Sequence, residues 1–224
     1  MIRRRITEHI ENRLFKKKAI ILTGARQVGK TTLAKFILEK QKNSAIYLNG
    51  DEPDIREMLT NATSTELKNI IGNKKLLVLD EAQRIDNIGV TIKLIVDTLP
   101  EVQVVVTVSS SLEVNSSIQE PLTGRKFEFE LMPLSTRELV DRHGIIEEKR
   151  NLDRRLIYGF YPEIVTDPEF TEENLKSLAS SYLYKDILAL YKVRHADMLE
   201  KLLRALALQV GQLVSYNELS NAIG

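Results

Sequence analysis

The stretch from Lys18 to Lys35, KAIILTGARQVGKTTLAK, constrains the fold more than any other part of the chain. The apolar run Ala19–Thr23 predicts a strand, and Thr32–Glu39 has the composition of a helix. Between them, Gly24-Ala25-Arg26-Gln27-Val28-Gly29-Lys30-Thr31 fits the pattern G-x-x-x-x-G-K-[ST] at every specified position. Gly24 and Gly29 let the backbone turn tightly and approach another group without a Cβ in the way. The loop amides then form an anion nest, reinforced by the positive end of the following helix. Lys30 supplies a point charge for β- and γ-phosphates, and the Thr31 hydroxyl suits Mg²⁺. A glycine turn arising by chance would not come with both the strand before it and the helix after it. The stretch therefore predicts nucleoside triphosphate binding, with Gly24, Ala25, Arg26, Gln27, Val28, Gly29, Lys30, Thr31 and Thr32 as candidate contacts.

A second motif fits the first. Lys75-Leu76-Leu77-Val78-Leu79-Asp80-Glu81 is an uninterrupted apolar run ending in two carboxylates. Such a run suits a parallel strand covered on both faces, and ligands of open α/β sheets sit at the carboxyl ends of strands. Asp80 is the expected Mg²⁺-linked carboxylate, acting through a coordinated water. Glu81 is placed to orient and deprotonate the water that attacks the γ-phosphate. The alternative is an acid pair that caps the next helix.

Composition narrows the remaining classes. The 224 residues are 43% hydrophobic and 28% charged, with a formal net charge of +1. This is ordinary for a folded domain with a sizeable core, and it gives no global argument for a nucleic-acid partner. The chain has no cysteine, so disulfides, thiol chemistry and thiolate metal sites are excluded. His9, His143 and His195 have no ligand spacing. No apolar run is long enough to span a bilayer, and MIRRRITEHI leads into no signal-type segment, so a cytoplasmic protein is the expectation.

The rest of the chain predicts the surroundings of the site. Ile2, Ile6, Ile10 and Leu14 predict an amphipathic helix over residues 2–15, flanked by the basic clusters Arg3–Arg5 and Lys16–Lys18. Those clusters read as solvated helix ends or as a nucleic-acid patch. Ala45–Asn49 predicts a second strand; Asp51 and Glu52 after it either approach the Mg²⁺ region or cap a helix starting near Asp54. A helix is expected over 90–99 and a strand over 102–108, ending in Ser109-Ser110-Ser111. Ser109 there would touch the γ-phosphate or the attacking water, or else cap a following helix. Arg125, before the strand pattern Lys126–Leu131, reads as an arginine at the site-side edge that stabilises transition-state charge, or as a surface ion pair. Ser135 to Glu138 is a capping-box match. Asp141–Arg155 reads as a charge-rich connection, and Leu175, Leu178, Tyr182, Ile187, Leu188 and Tyr191 as the core stripe of a long helix. Met198–Gln209 predicts another helix, broken at Gly211, and Ser215-x-x-Glu218-Leu219 opens one more, as a helix-turn-helix begins.

Together these residues resemble a prokaryotic family of AAA-type ATPases that carry a C-terminal domain of unknown function. The likeness lies in Thr23–Leu33, Leu79-Asp80-Glu81-Ala82-Gln83, Leu122-Thr123-Gly124-Arg125, Met132–Ser135, the Gly159–Glu163 turn and Tyr184–Ile187. It implies an α/β fold: a parallel-sheet P-loop NTPase core of the ASCE/AAA type, followed by a helical lid and the start of a winged-helix-like region. In that core one extra strand separates the loop strand from the Asp-Glu strand. It also implies ATP and Mg²⁺ as cofactors, and an arginine-finger or sensor role for Arg125. Where the family has Thr-Gly-Ser, this chain has Thr107-Val108-Ser109.

The division expected is a P-loop domain over 1–140, a lid over 141–196 and the truncated winged-helix-like region over 197–224. The expected activity is Mg²⁺-dependent ATP hydrolysis that drives or resets a conformational change, catalysed by Lys30, Glu81 and Arg125, with Thr31 and Asp80 at the metal. A slow nucleotide-gated or DNA-associated switch is the alternative, and a small-molecule phosphotransferase a third. Glu81 argues against the third. No Asn-Lys-x-Asp motif for guanine is present. The abrupt end at Gly224 predicts a longer protein, whose missing part would engage DNA or a protein partner; self-association of the chain is a further expectation.

Overall fold

The computed structural model describes residues 2–109, 120–180 and 196–223. They fall into two compact units, Met1–Thr171 and Glu172–Gly224.

The first unit is built on one parallel sheet of five strands. Strands β1 (Ala19–Thr23), β3 (Leu76–Asp80) and β4 (Gln103–Thr107) are buried at every position. β2 (Ala45–Asn49) and β5 (Lys126–Glu130) are the half-exposed edges, in the order β2-β3-β4-β1-β5. All pairs are parallel, so β4 lies between the loop strand and the Asp-Glu strand. This is the order the family resemblance implies.

Side chains alternate across the sheet and fill two separate apolar layers. Ile20, Leu22, Leu76, Val78 and Val105 face α2 (Lys30–Lys40) through Leu33, Ala34 and Ile37. Ile21, Leu77, Leu79, Val104 and Val106 face the other way. They pack with Leu67 and Ile71 of α4 (Ser64–Ile71) and with Ile92 and Ile95 of α5 (Ile88–Thr98). Helices on both faces leave only the strand ends open, and the phosphate-loop motif occupies the carboxyl end of β1.

Several predicted elements change shape. The amphipathic helix over 2–15 contracts to α1 (Ile6–Glu11). Ile10 keeps its place in the core, whereas Ile2 packs with Leu134 and Leu139. Neither Asp51 nor Glu52 caps a helix through its side chain: α3 (Pro53–Leu59) starts on a proline, with Glu52 as an N-cap that makes no side-chain bond. Asp51 instead pairs with Arg84 at 3.4 Å. The box Thr63–Glu66, which opens α4, went unread in the sequence. Ser135 and Glu138 do form the predicted box, on the helix Thr136–His143.

Asp141–Arg155 is not a connection. Helices Ile145–Arg150 and Leu152–Tyr158 occupy it. Buried Glu148 holds them to the preceding helix by accepting from Arg155 at 3.1 and 3.2 Å, with His143 Nδ1 at 2.7 Å. Charge placed inside, fully paired, is what made this segment look like a surface linker. In the second unit, helices Ala196–Leu208 and Tyr216–Ile223 flank Gly211, whose φ is +80°. Ser215 Oγ accepts from the Glu218 N–H at 3.4 Å. Tyr182, Ile187, Leu188, Tyr191, the Tyr184–Ile187 motif and His195 lie outside the described residues, as do Ser110 and Ser111. Among the described residues no helix is long and apolar enough to cross a membrane.

Candidate nucleotide site

The loop after β1 owes its shape to packing on both flanks. Leu131 donates its N–H to Thr23 O at 2.7 Å, which brings the chain beyond β5 hard against Gly24. A Cβ at Gly24 would lie 2.3 Å from Leu131 O, and the residue's φ is +142°. At the other end Gly29, with φ +98°, turns the chain into α2. Val28 is fully buried and pins the crest of the loop to the core. Ala25 and Gln27 stay exposed, and Arg26 is half-buried.

Lys30 opens α2 from a buried position and folds back over the loop, donating to Gly24 O at 2.9 Å and Ala25 O at 2.7 Å. Burial pushes its pKa below the ordinary lysine value; Glu81 and Asp80 oppose that shift, and Arg26 adds to it. The ammonium is therefore within electrostatic reach of both acids.

Asp80 ends β3 and is buried. Its carboxylate accepts from three hydroxyls: Thr31 at 3.0 Å and Thr107 on Oδ1, and Tyr47 at 2.6 Å on Oδ2. Thr107 Oγ1 also accepts the Glu81 N–H at 3.0 Å, so one strand-end threonine fixes both acids. Glu81 sits in the left-handed region at φ +49°. Its Oε2 accepts from Gln83 Nε2 and from Ser109 Oγ at 3.4 Å, while the Ser109 N–H reaches Gln83 Oε1 at 3.3 Å. Val108, in place of the family's glycine, needs no special backbone: it is buried in the core and donates to Leu22 O at 3.0 Å.

Lys30, Thr31, Asp80, Glu81 and Ser109 thus meet at the carboxyl edge of the sheet, brought there by α2, β3 and the end of β4. Thr31 Oγ1 and Asp80 are hard oxygen donors one hydrogen bond apart, a set that fits Mg²⁺ completed by water and phosphate oxygens. Thr32 is exposed on the adjoining side, where it lines a groove of about 150 Å³ with Ile2, Val28, Leu33, Phe36 and Leu134.

Arg125 is not with them, which corrects its placement at the site-side edge. It directly precedes β5, whose Lys126 pairs with Ala19 at the start of β1. Its carbonyl accepts the Ala19 N–H at 2.9 Å, and its guanidinium pairs with Asp97 at 2.7 Å. A strand of five residues, roughly 16 Å at 3.3 Å per residue, separates it from the loop of its own chain.

Three supporting residues were not assigned from the sequence. Tyr47 and Thr107 act across strands, which no local pattern reveals. Arg4 reaches Val28 O at 2.7 Å, 24 residues away in the loop, and Glu138 at 3.1 Å, 134 residues away, tying the N-terminal segment to both. Burial pushes the Glu138 carboxyl up, but the Ser135 and Arg5 N–H groups and the Arg4 charge outweigh it and hold its pKa below the ordinary value.

Gly50 had a visible signal, a glycine directly after a strand. A Cβ there would come 2.5 Å from Glu81 O. If Glu81 activates the attacking water, Gly50→Ala is expected, by displacing the Glu81 backbone, to lower nucleotide turnover about tenfold or more, because misplacing a reacting group by about 1 Å costs up to a hundredfold. Comparing steady-state rates at saturating nucleotide checks this.

A parallel sheet with a phosphate loop at the end of β1 and an Asp-Glu pair at the end of β3, with β4 between them, defines a P-loop nucleotide-binding protein. Residues 16–140 match the AAA domain family, to which the chain belongs, and residues 149–224 match a domain of unknown function, DUF8612. A Haemophilus influenzae protein described as uncharacterized is 22% identical over 223 residues, covering 91% of this chain and 54% of its own. The chain thus spans about half the length of that relative. Among solved structures, Drosophila ORC bound to DNA shares 14% identity at a TM-score of 0.38, over 59% of this chain and 92% of that one. The Pif1 helicase from Candida albicans shares 14% at 0.39, over 68% and 44%. The family makes this a nucleotide-binding protein of the ATPase class, for which ATP is the expected ligand.

Proposed function

We propose that the chain is a Mg²⁺-dependent ATPase whose hydrolysis drives or resets a conformational change. The observation that carries this reading is the meeting of α2 and β3 at the loop, with Thr31 Oγ1 3.0 Å from Asp80 Oδ1 and Lys30, the residue before Thr31, folded onto the loop carbonyls. In this reading the amides from Gly24 to Gly29 hold the phosphates, and Lys30 exchanges its loop carbonyls for β- and γ-phosphate oxygens. Thr31 and Asp80 would hold Mg²⁺, which when bound would supply charge neutralisation on the phosphates. Glu81 takes a proton from the attacking water as its oxygen bonds to the γ-phosphorus, releasing ADP and phosphate. Ser109 and Gln83, already bonded to Glu81 and to each other, report phosphate state outward. The apolar groove by Ile2, Leu33 and Phe36 receives the adenine ring.

Arg125 lies at the amino edge of its own sheet, so if it acts at a γ-phosphate it does so at the site of a second copy. One specific observation favours the switch reading of the same site: Glu81 Oε2 is engaged by both Gln83 and Ser109, which slows basal turnover. Phosphate release from ATP and from GTP, measured with Mg²⁺ over a range of protein concentrations, tests the proposal. It predicts turnover of ATP in preference to GTP, with specific activity that rises with concentration. Absence of turnover at every concentration, or a preference for GTP, would contradict it.

A further inference from the structure

Asp80 is the carboxylate on which the proposed metal chemistry turns, and a carboxylate free to rotate presents either oxygen. Here each oxygen has a distinct set of partners. Oδ1 takes the two threonine hydroxyls, including Thr31, whereas Oδ2 takes only the Tyr47 phenol among the described residues, at 2.6 Å. The register explains how Tyr47 gets there. Asn49 of β2 pairs with Asp80, and Tyr47 pairs with Val78, two residues earlier on the same face. Two residues of strand span roughly 7 Å, a reach that a tyrosine ring and hydroxyl cover and a shorter polar side chain does not. The ring is itself held: it packs at the rim of the core cluster under α2, and the Lys35 ammonium of α2 lies 5.2 Å from its centroid.

We propose that Tyr47 is a positioning residue for the metal-linked carboxylate, its phenol occupying Oδ2 so that Oδ1 faces the ion beside Thr31. The inference rests on the Mg²⁺-ATP reading of the site and adds a residue to it. Outer partners that orient a metal-linked group commonly set metal affinity by one to two orders of magnitude. A phenylalanine at this position keeps the ring, its packing and the Lys35 contact, and removes only the donor.

The test is titration of a fluorescent ATP analogue against wild type and Tyr47→Phe, with Mg²⁺ varied and, separately, with all metal chelated. The expected result is a Mg²⁺ midpoint raised about tenfold or more in the variant, with metal-free affinity and melting temperature unchanged. Equal Mg²⁺ midpoints would overturn the inference alone. So would a loss of affinity that persists without metal, because that marks a packing role. A wild-type protein whose nucleotide affinity ignores Mg²⁺ overturns the inference together with the reading beneath it.

Discussion

If Glu81 is the general base of the proposed hydrolysis, Glu81→Gln is expected to lower ATP turnover by about two orders of magnitude or more, the usual contribution of such a group, and to leave ATP binding intact. The amide matches the carboxylate in size and keeps an oxygen for Gln83 and Ser109, the two partners of Glu81 Oε2. The backbone at residue 81 is fixed independently by the bond from its N–H to Thr107 Oγ1. The substitution therefore removes proton acceptance and little else. Loss of a negative charge near Lys30 and the phosphates tends, if anything, to tighten ATP binding. Single-turnover phosphate release alongside equilibrium binding separates the two effects; unchanged hydrolysis would remove Glu81 from the mechanism.

Lys30→Ala is the complementary case, in which binding is lost. Two charge-assisted contacts to phosphate at about 1.5–3 kcal/mol each sum to roughly 3 kcal/mol or more. That corresponds to at least about a hundredfold in Kd. The fold is expected to survive. Among the described residues Lys30 bonds only loop carbonyls, which water can reach once the side chain is gone, while Val28 and the Gly24–Leu131 contact hold the loop in place. Isothermal titration with ATP, set beside the melting temperature, checks both halves of this expectation.

What the sequence discloses here follows from how local each constraint is. The strand, turn and helix around Lys30 are specified by consecutive residues, and the apolar run ending in Asp80-Glu81 is specified the same way. The strand order rests on the family likeness and agrees with it. Arg125 misleads because its motif carries no register. A residue just ahead of a parallel strand falls at the amino edge, and the pairing of Lys126 with Ala19 makes that concrete. Tyr47, Thr107 and Arg4 are invisible for another reason: their partners lie 24 to 134 residues away, in contacts that no periodicity encodes. Glu148 and Arg155 mislead because charge ordinarily marks surface, yet a fully paired ion cluster can be the packing core of short helices.

The central claim is that the turn after β1 cradles a triphosphate opposite two acids. A crystal structure with a non-hydrolysable ATP analogue and Mg²⁺ measures it most directly. The account predicts phosphate oxygens within hydrogen-bonding distance of Lys30 Nζ and the amides of residues 24–29. It also places the ion on Thr31 Oγ1 and links it through water to Asp80, with Glu81 facing the γ-phosphate. Phosphates bound anywhere other than this turn, or an ion held away from Thr31 and Asp80, would contradict it.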